Sequence, residues 1–129
     1  MTHKSESGGV RLDLATETQV REAYRAIRLI PGCDGVAVQK MVNRKKGVEV
    51  IAGCSVDPQF GPVLLFGSGG EFVELYQDRA LALPPLNTTL ARRMMEQTRI
   101  YKAFGGFRGK PPVDAHAVEQ ALVRISRLV

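Results

Sequence analysis

The spacing of the apolar residues changes at Gly35, and this change restricts what the chain can fold into. Before it, apolar side chains recur every three or four residues from Val20 to Ile30, as on one face of a helix. After it, the helical spacing is lost, and the valine-rich residues 36–42 and 48–53 are interpreted as strands, in which side chains have a period of two. A chain with both periods belongs to the α/β or α+β class.

Capping and turn residues delimit the individual elements. Thr16 and Gln19 have the spacing of a capping box, so a helix should begin there, and Pro31 should end it. Residues 36–42 and 48–53 are predicted to form a hairpin, since a short basic connection containing a glycine separates them. The other predicted elements are strands at 10–14, 62–66 and 72–76, a helix at 90–101 whose N-cap candidates are residues 87–89, and a helix that Asp114 caps and that runs to the last residue.

The composition favours one folded domain away from membranes. The 129 residues, of which 44% are apolar, suffice for a packed core. No run approaches the ~20 apolar residues of a membrane helix, and residues 1–9 carry no apolar signal segment, so we expect a cytoplasmic protein. Cys33 and Cys54 lack the partner spacing of a zinc site and are predicted to be free thiols.

The net charge of +5 is concentrated toward the end of the chain. Residues 1–78 hold nine Lys or Arg against ten Asp or Glu, whereas residues 79–129 hold nine against three. Such an excess is typical of proteins that bind nucleic acid or another polyanion, and equally of solvated helix faces. Aromatic side chains do not alternate with the basic ones, which disfavours a platform for single-stranded nucleic acid.

Two glycine-rich loops could cradle phosphate groups, because glycine lets backbone N–H groups approach an anion closely. One comprises residues 7–9, and the other comprises residues 67–70, which follow the predicted buried strand at 62–66. Neither has the glycine and lysine spacing of a Walker loop or a dinucleotide-binding fingerprint. Each loop is therefore either a phosphate cradle or a tight turn.

Eight short segments follow one another in an order that is more specific than any of these motifs alone. They are residues 3–6, 8–12, 38–42, 47–53, 57–62, 66–70, 84–86 and 106–109. Together they resemble the ATP-grasp half of NDP-forming acyl-CoA (acetyl-CoA) synthetases, a domain that is also fused in bacterial protein lysine acetyltransferases. The resemblance runs from His3 to the last residue.

This resemblance implies a partial ATP-grasp fold of the α/β (α+β) class. In ATP-grasp proteins the nucleotide lies between two α+β subdomains. Residues 1–42 match the phosphate-loop or lid segment and the hinge, and residues 43–129 match part of the larger subdomain. The implied ligand is ATP or ADP, with Mg²⁺ in the complete enzyme.

The resemblance also implies which residues bind the nucleotide. The matched positions are Gly8 and Gly9 in the loop that covers the phosphates, and Gln39, Lys40, Met41 and Val42 in the hinge that lines the adenine with its main chain. Glu49 matches the acidic residue beyond the hinge that holds the ribose, and a carboxylate can accept hydrogen bonds from two hydroxyls. The alternative for Glu49 is a solvent-facing strand residue, because it alternates with Val48 and Val50.

His3 is the catalytic residue that the resemblance implies. In the acyl-CoA synthetase family, a histidine directly before Lys-Ser on this loop is the candidate to receive phosphate and relay it toward the active site. Neutral imidazole is nucleophilic near about pH 7, so histidine suits this transfer. The alternative for His3 is an inert surface histidine. His116 has no such context and is predicted to lie in the first turn of the last helix.

Several parts of the family pattern are expected to lie outside this chain. The family places a strand with a nucleotide-contacting lysine before the first residue, a magnesium-binding segment after the last, and CoA-binding and CoA-ligase domains or subunits elsewhere. No metal ligands are predicted among the residues present. We therefore expect the chain alone to be inactive as a ligase.

Three functional hypotheses follow. The first is the ATP-binding part of an ADP-forming acetate or acyl-CoA ligase, which converts acid, CoA and ATP to acyl-CoA, ADP and phosphate through phosphohistidine. The second is a ligand-binding ATP-grasp domain of a protein lysine acetyltransferase. The third is a small basic module that binds nucleic acid, which only the charge excess favours. None of the three involves a membrane.

Overall fold

The structure is a computed structural model that describes residues 8–43, 45, 47–70 and 77–129. The predicted strand at 72–76 lies outside the described residues. The chain divides into two compact units, Met1–Val42 and Asn43–Val129. The lid and subdomain roles of these two parts stay predictions.

The first unit contains one helix, α1 (Glu17–Arg28), within its described residues. Its capping box is confirmed, because Thr16 Oγ1 accepts from the Gln19 amide at 3.3 Å while Gln19 Oε1 accepts from the Thr16 amide at 3.2 Å. These bonds satisfy amides that the first helical turn leaves without a partner. The helix ends at Arg28, three residues before Pro31, as its sequence predicts.

The strands predicted in this unit are absent. Residues 10–14 and 36–42 form neither helix nor strand. An alternating pattern defines two faces of an extended segment, but a strand also needs a neighbour that completes its hydrogen-bond ladder. The predicted hairpin of residues 36–42 with 48–53 is therefore wrong.

The second unit is built on a three-stranded antiparallel sheet in the order β1 (Val50–Asp57), β2 (Gly61–Ser68), β3 (Arg79–Ala82). The register of the sheet is given by Leu65 of β2, which pairs with Gly53 of β1 on one side and with Leu81 of β3 on the other. The partner of β1 is thus the strand that follows it. The turn between them suits a hairpin, because Asp57 Oδ1 accepts from the amides of Gln59 at 2.8 Å and Phe60 at 3.0 Å.

Two helices and a 3₁₀ helix pack against this sheet. They are α2 (Thr88–Glu96), the 3₁₀ helix (Ile100–Gly105) and α3 (Ala115–Ser126). Asn87 and Asp114 cap α2 and α3 by accepting from the Leu90 and Ala117 amides at 2.8 and 3.0 Å, so both predicted caps are confirmed. None of the helices that the structure describes is long and apolar enough to cross a membrane.

The helix predicted at 90–101 ends early, at Glu96. The Thr98 amide and hydroxyl both donate to the Met95 carbonyl, at 3.0 and 2.6 Å. The next two amides, of Arg99 and Ile100, donate to the Asp78 carboxylate at 2.7 and 2.8 Å. Since these amides are bound from outside, they cannot continue the i to i−4 pattern of an α-helix.

The hydrophobic core lies between one face of the sheet and these helices. Its buried residues are Leu64, Phe66, Ala80, Leu86, Ala91, Met94, Met95, Phe104, Leu122 and Val123. Phe66 and Phe104 meet edge to face, with ring centroids 6.4 Å apart. A buried carboxylate on α3, Glu119, binds the Arg92 guanidinium of α2 at 2.6 Å. The hydrogen bond from Arg92 lowers the pKa of Glu119 and so keeps the buried group charged.

Gly67 lies at a close approach of β2 to the start of β3. A Cβ at this position would lie 2.2 Å from the Asp78 carbonyl oxygen and 2.9 Å from the Arg79 Cα. Both atoms belong to the backbone, so neither can turn away as a flexible side chain could. At Gly53 in β1, by contrast, a Cβ would meet nothing within 4 Å.

The Gly67→Ala substitution should therefore lower the free energy of unfolding by about 2 kcal/mol or more, because overpacking forces the backbone apart. The matched Gly53→Ala substitution should change it by less than about 1 kcal/mol in either direction. Urea unfolding followed by circular dichroism measures both values. Equal effects of the two substitutions would show that β3 does not pack on Gly67 as described.

Candidate functional site

The predicted hinge residues lie in the first unit as an exposed, extended segment. Gln39, Lys40, Met41 and Val42 all have exposed side chains. Among the described residues, their amides and carbonyls make no backbone hydrogen bond. Main-chain donors and acceptors of this kind are available to the edge of a base.

The predicted phosphate loop lies in the same unit. Gly8 has a φ of +73°, a conformation that favours glycine over any other residue. Gly9 is half-buried beside it. A Cβ at Gly8 would lie 4.0 Å from Arg11 Nη2, so a guanidinium stands next to the loop. Sequence analysis gave Arg11 no role, although a cation beside a glycine turn suits a phosphate.

Glu49 lies in the second unit, directly before β1, and its side chain is exposed. Its main-chain carbonyl accepts from the Gly69 amide at 2.9 Å. Its carboxylate oxygen Oε2 lies 3.1 Å from the place where a Cβ would stand at Gly70. The carboxylate thus lies beside Gly70, just beyond the end of β2.

The second glycine-rich loop, residues 67–70, is a structural junction. The Ser68 amide donates to the Asp78 carbonyl at 2.9 Å, and the Gly69 amide donates to Glu49. These two amides are therefore already bound within the protein. Two carboxylates, of Glu49 and Asp78, also lie beside the loop and would repel a phosphate. The structure therefore disfavours a phosphate cradle here, and it places Gly67 and Ser68 at the end of β2, so that only Gly69 and Gly70 lie beyond the strand.

Asp78 is a residue whose importance the sequence did not reveal. Its carboxylate accepts from the Ser68 hydroxyl at 2.6 Å as well as from the Arg99 and Ile100 amides. Burial acts to raise the pKa of Asp78, but these hydrogen bonds and the Arg99 charge outweigh it, and the pKa lies below that of an ordinary aspartate. Its partners are 10 to 22 residues away in sequence, so no local pattern could have revealed them.

The predicted site residues thus fall into two sets. The glycine loop and the hinge belong to the first unit, and Glu49 belongs to the second. His3, the predicted catalytic residue, lies outside the described residues. His116 lies in the first turn of α3 as predicted, with Nδ1 3.3 Å from Glu119 Oε2. Within the described ranges, no group of three or more His, Cys, Asp or Glu side chains could hold a metal ion.

Comparison with known proteins decides the family. Residues 1–129 match the ATP-grasp domain over their whole length. The chain belongs to the ATP-grasp family. The family expected from the ordered segments and the mixed α/β class are both confirmed.

This ATP-grasp domain is similar to several CoA ligases. It is 34% identical to acetate–CoA ligase (ADP-forming) I of Archaeoglobus fulgidus, over 99% of the chain and 19% of that protein. It is 35% identical to the beta subunit of acetate–CoA ligase (ADP-forming) I of Pyrococcus furiosus, over 98% of the chain and 56% of the subunit. The chain therefore spans about half of that subunit and about a fifth of the longer ligase.

A solved structure gives the same result in three dimensions. Dinucleotide-forming acetyl-coenzyme A synthetase 1 of Candidatus Korarchaeum cryptofilum matches with a TM-score of 0.83 and 42% identity, over 98% of this chain and 56% of that one. That protein is in complex with coenzyme A and Mg-AMPPCP, and its phosphohistidine segment points towards the nucleotide-binding site.

Asp78→Asn should lower the free energy of unfolding at neutral pH by about 2 kcal/mol, since a charged acceptor of three hydrogen bonds is lost. Because the folded-state pKa is lowered, the contribution of the carboxylate is complete above the unfolded-state pKa and disappears as the pH falls through the folded-state pKa. The difference between wild type and variant should therefore shrink below about pH 4. Urea unfolding at a series of pH values measures it.

Asp57→Asn is the matched control, because asparagine makes the same local turn that Asp57 makes. It should change stability by less than about 1 kcal/mol. A loss of the same size in both variants would contradict a special role for Asp78.

Proposed function

We propose that this domain is the nucleotide-binding part of an ADP-forming acetate or acyl-CoA ligase. The observation that carries the proposal is the match over 98% of the chain to a synthetase that is in complex with coenzyme A and Mg-AMPPCP. In the complete enzyme, acid, CoA and ATP would be converted to acyl-CoA, ADP and phosphate. The cytoplasmic location expected from the sequence is kept as part of this proposal.

The residues of each unit fit the nucleotide by their chemistry. The main chain of residues 39–42, which makes no backbone hydrogen bond with any other described residue, offers donors and acceptors for the adenine edge. The positive φ of Gly8 and the nearby Arg11 guanidinium suit the phosphates. The Glu49 carboxylate suits the ribose hydroxyls. Bound Mg²⁺ would neutralise phosphate charge. The described residues contain no group of side chains that could hold the ion, and the roles proposed for them do not include metal binding.

The complete enzyme would require domains or subunits other than this one. The relatives are a longer ligase and the beta subunit of a ligase. We therefore propose CoA-binding and CoA-ligase domains or subunits as partners. In the same proposal His3 accepts the phosphoryl group and carries it between the nucleotide and those partners.

The two alternatives gain less support. The relatives described above are CoA ligases and synthetases, which does not favour an acetyltransferase parent. Some of the basic side chains from residue 79 onward form hydrogen bonds within the protein, which weakens the case for binding of nucleic acid. Arg92 binds Glu119, and Lys110 Nζ donates to the Gly47 carbonyl at 2.8 Å.

Titration of the purified chain with ADP and with a short single-stranded DNA tests the proposal. We expect ADP to bind, and Glu49→Gln to weaken it about ten-fold or more, because the hydrogen bonds of a charged acceptor are lost. Glu22→Gln removes one exposed carboxylate from α1 and should leave ADP affinity unchanged. Tight DNA binding that falls steeply with salt, together with no response to ADP, would instead favour the nucleic-acid hypothesis.

His3→Ala tests the proposed phosphoryl relay in the full-length parent enzyme. Acyl-CoA formation should fall by at least about a thousand-fold, as expected when a covalent nucleophile is removed. Nucleotide affinity and thermal stability should stay near those of wild type. In an acetyltransferase the same change should leave catalysis intact, and an active His3→Ala ligase would exclude the relay role.

A further inference from the structure

Glu49 and Gly70 meet at the end of β2 in a contact that the nucleotide-binding proposal leaves unexplained. The carboxylate carbon of Glu49 lies 3.9 Å, and its Oε2 3.1 Å, from the Cβ position of Gly70. The glycine is itself exposed, so core packing gives no reason for its lack of a side chain. The space that a Cβ would fill is bordered by the Glu49 carboxylate.

The main chain on both sides of this contact is closely joined. The Gly69 amide donates to the Glu49 carbonyl at 2.9 Å. A Cβ at Gly69 would lie 3.1 Å from backbone atoms of Glu49 and Val50. The base of the Glu49 side chain is therefore fixed against the same loop that its carboxylate touches.

The loop itself is anchored on its other side. Gly67 packs against the start of β3, and Ser68 binds Asp78 through both its amide and its hydroxyl. Asp78 in turn holds the first amides of the 3₁₀ helix. A surface supported in this way has a defined position relative to β1, so contact with it restricts the directions open to the Glu49 carboxylate.

We propose that Gly70 is a positioning residue that directs the Glu49 carboxylate toward the ribose hydroxyls of an adenine nucleotide. The inference rests on the proposed function and adds the device that sets ribose recognition. An alanine at this position would crowd Oε2 and would also have to adopt a φ of +94°. The carboxylate would then be displaced from its place beside the loop.

The position of the Glu49 carboxylate determines how strongly the site selects nucleotides that carry ribose hydroxyls. A carboxylate directed at the ribose distinguishes ADP from 2′,3′-dideoxy-ADP, which lacks both hydroxyls. A site built to bind a hydroxyl rejects the analogue that lacks it, because its polar group is left without a partner. The ratio of the two dissociation constants therefore reports the position of the carboxylate, whereas the affinity for dideoxy-ADP reports the remainder of the site.

Calorimetric titration of the chain with both nucleotides tests the inference. Wild type should bind ADP about ten-fold or more tightly than dideoxy-ADP. In Gly70→Ala this ratio should fall toward one with dideoxy-ADP affinity unchanged. Gly61→Ala is the matched control, since Gly61 has a φ of +73° and nothing within 4 Å of its Cβ position. It carries the same kind of backbone strain and should keep the wild-type ratio.

Two further results separate the possible failures. Glu49→Asp shortens the side chain by one methylene and leaves Gly70 unchanged. It should also reduce the ratio of the dissociation constants for dideoxy-ADP and ADP. A wild-type chain that binds no ADP would overturn the proposed function and this inference with it. A wild type that discriminates the ribose while Gly70→Ala keeps the full ratio would overturn the inference alone. A crystal structure of Gly70→Ala with the Glu49 carboxylate in its original place would do the same.

Discussion

The packing of the second unit depends on the hydrogen bonds that the Asp78 carboxylate accepts. This carboxylate joins the end of β2, the start of β3 and the first turn of the 3₁₀ helix, through Ser68 and the amides of Arg99 and Ile100. The same contacts end α2 and turn the chain so that Phe104 reaches the core beside Phe66. A half-buried carboxylate without partners is costly, but this one has three donors, which lower its pKa and so stabilise the folded state at neutral pH.

What the sequence could predict was set by the range of the interactions involved. Thr16, Asn87 and Asp114 cap helices by binding amides three residues away, so a local pattern sufficed. Strand pairing depends on distant neighbours, and the partner assigned to β1 was wrong. The early end of α2 was equally unpredictable, because the group that binds its next amides lies about 20 residues earlier in the chain.

The candidate site shows the same division. The ordered segments sufficed for the family, and the family supplied roles for Gly8, the hinge and Glu49. The Arg11 guanidinium beside Gly8 and the contact of Glu49 with Gly70 follow only from coordinates, since neither pair has a diagnostic spacing. A family pattern indicates which residues are present at a site, whereas the packing around them determines where their polar atoms can point.

The two glycine-rich loops illustrate why glycine content alone does not define a phosphate site. Both contain a glycine with positive φ, Gly8 in the first and Gly70 in the second. One stands beside a guanidinium, and the other stands between two carboxylates with two of its amides already bound. Glycine permits close approach in both cases, but charge and free donors decide what approaches. In this chain the first loop has a cation beside it, whereas the second has carboxylates beside it and two amides that are already bound.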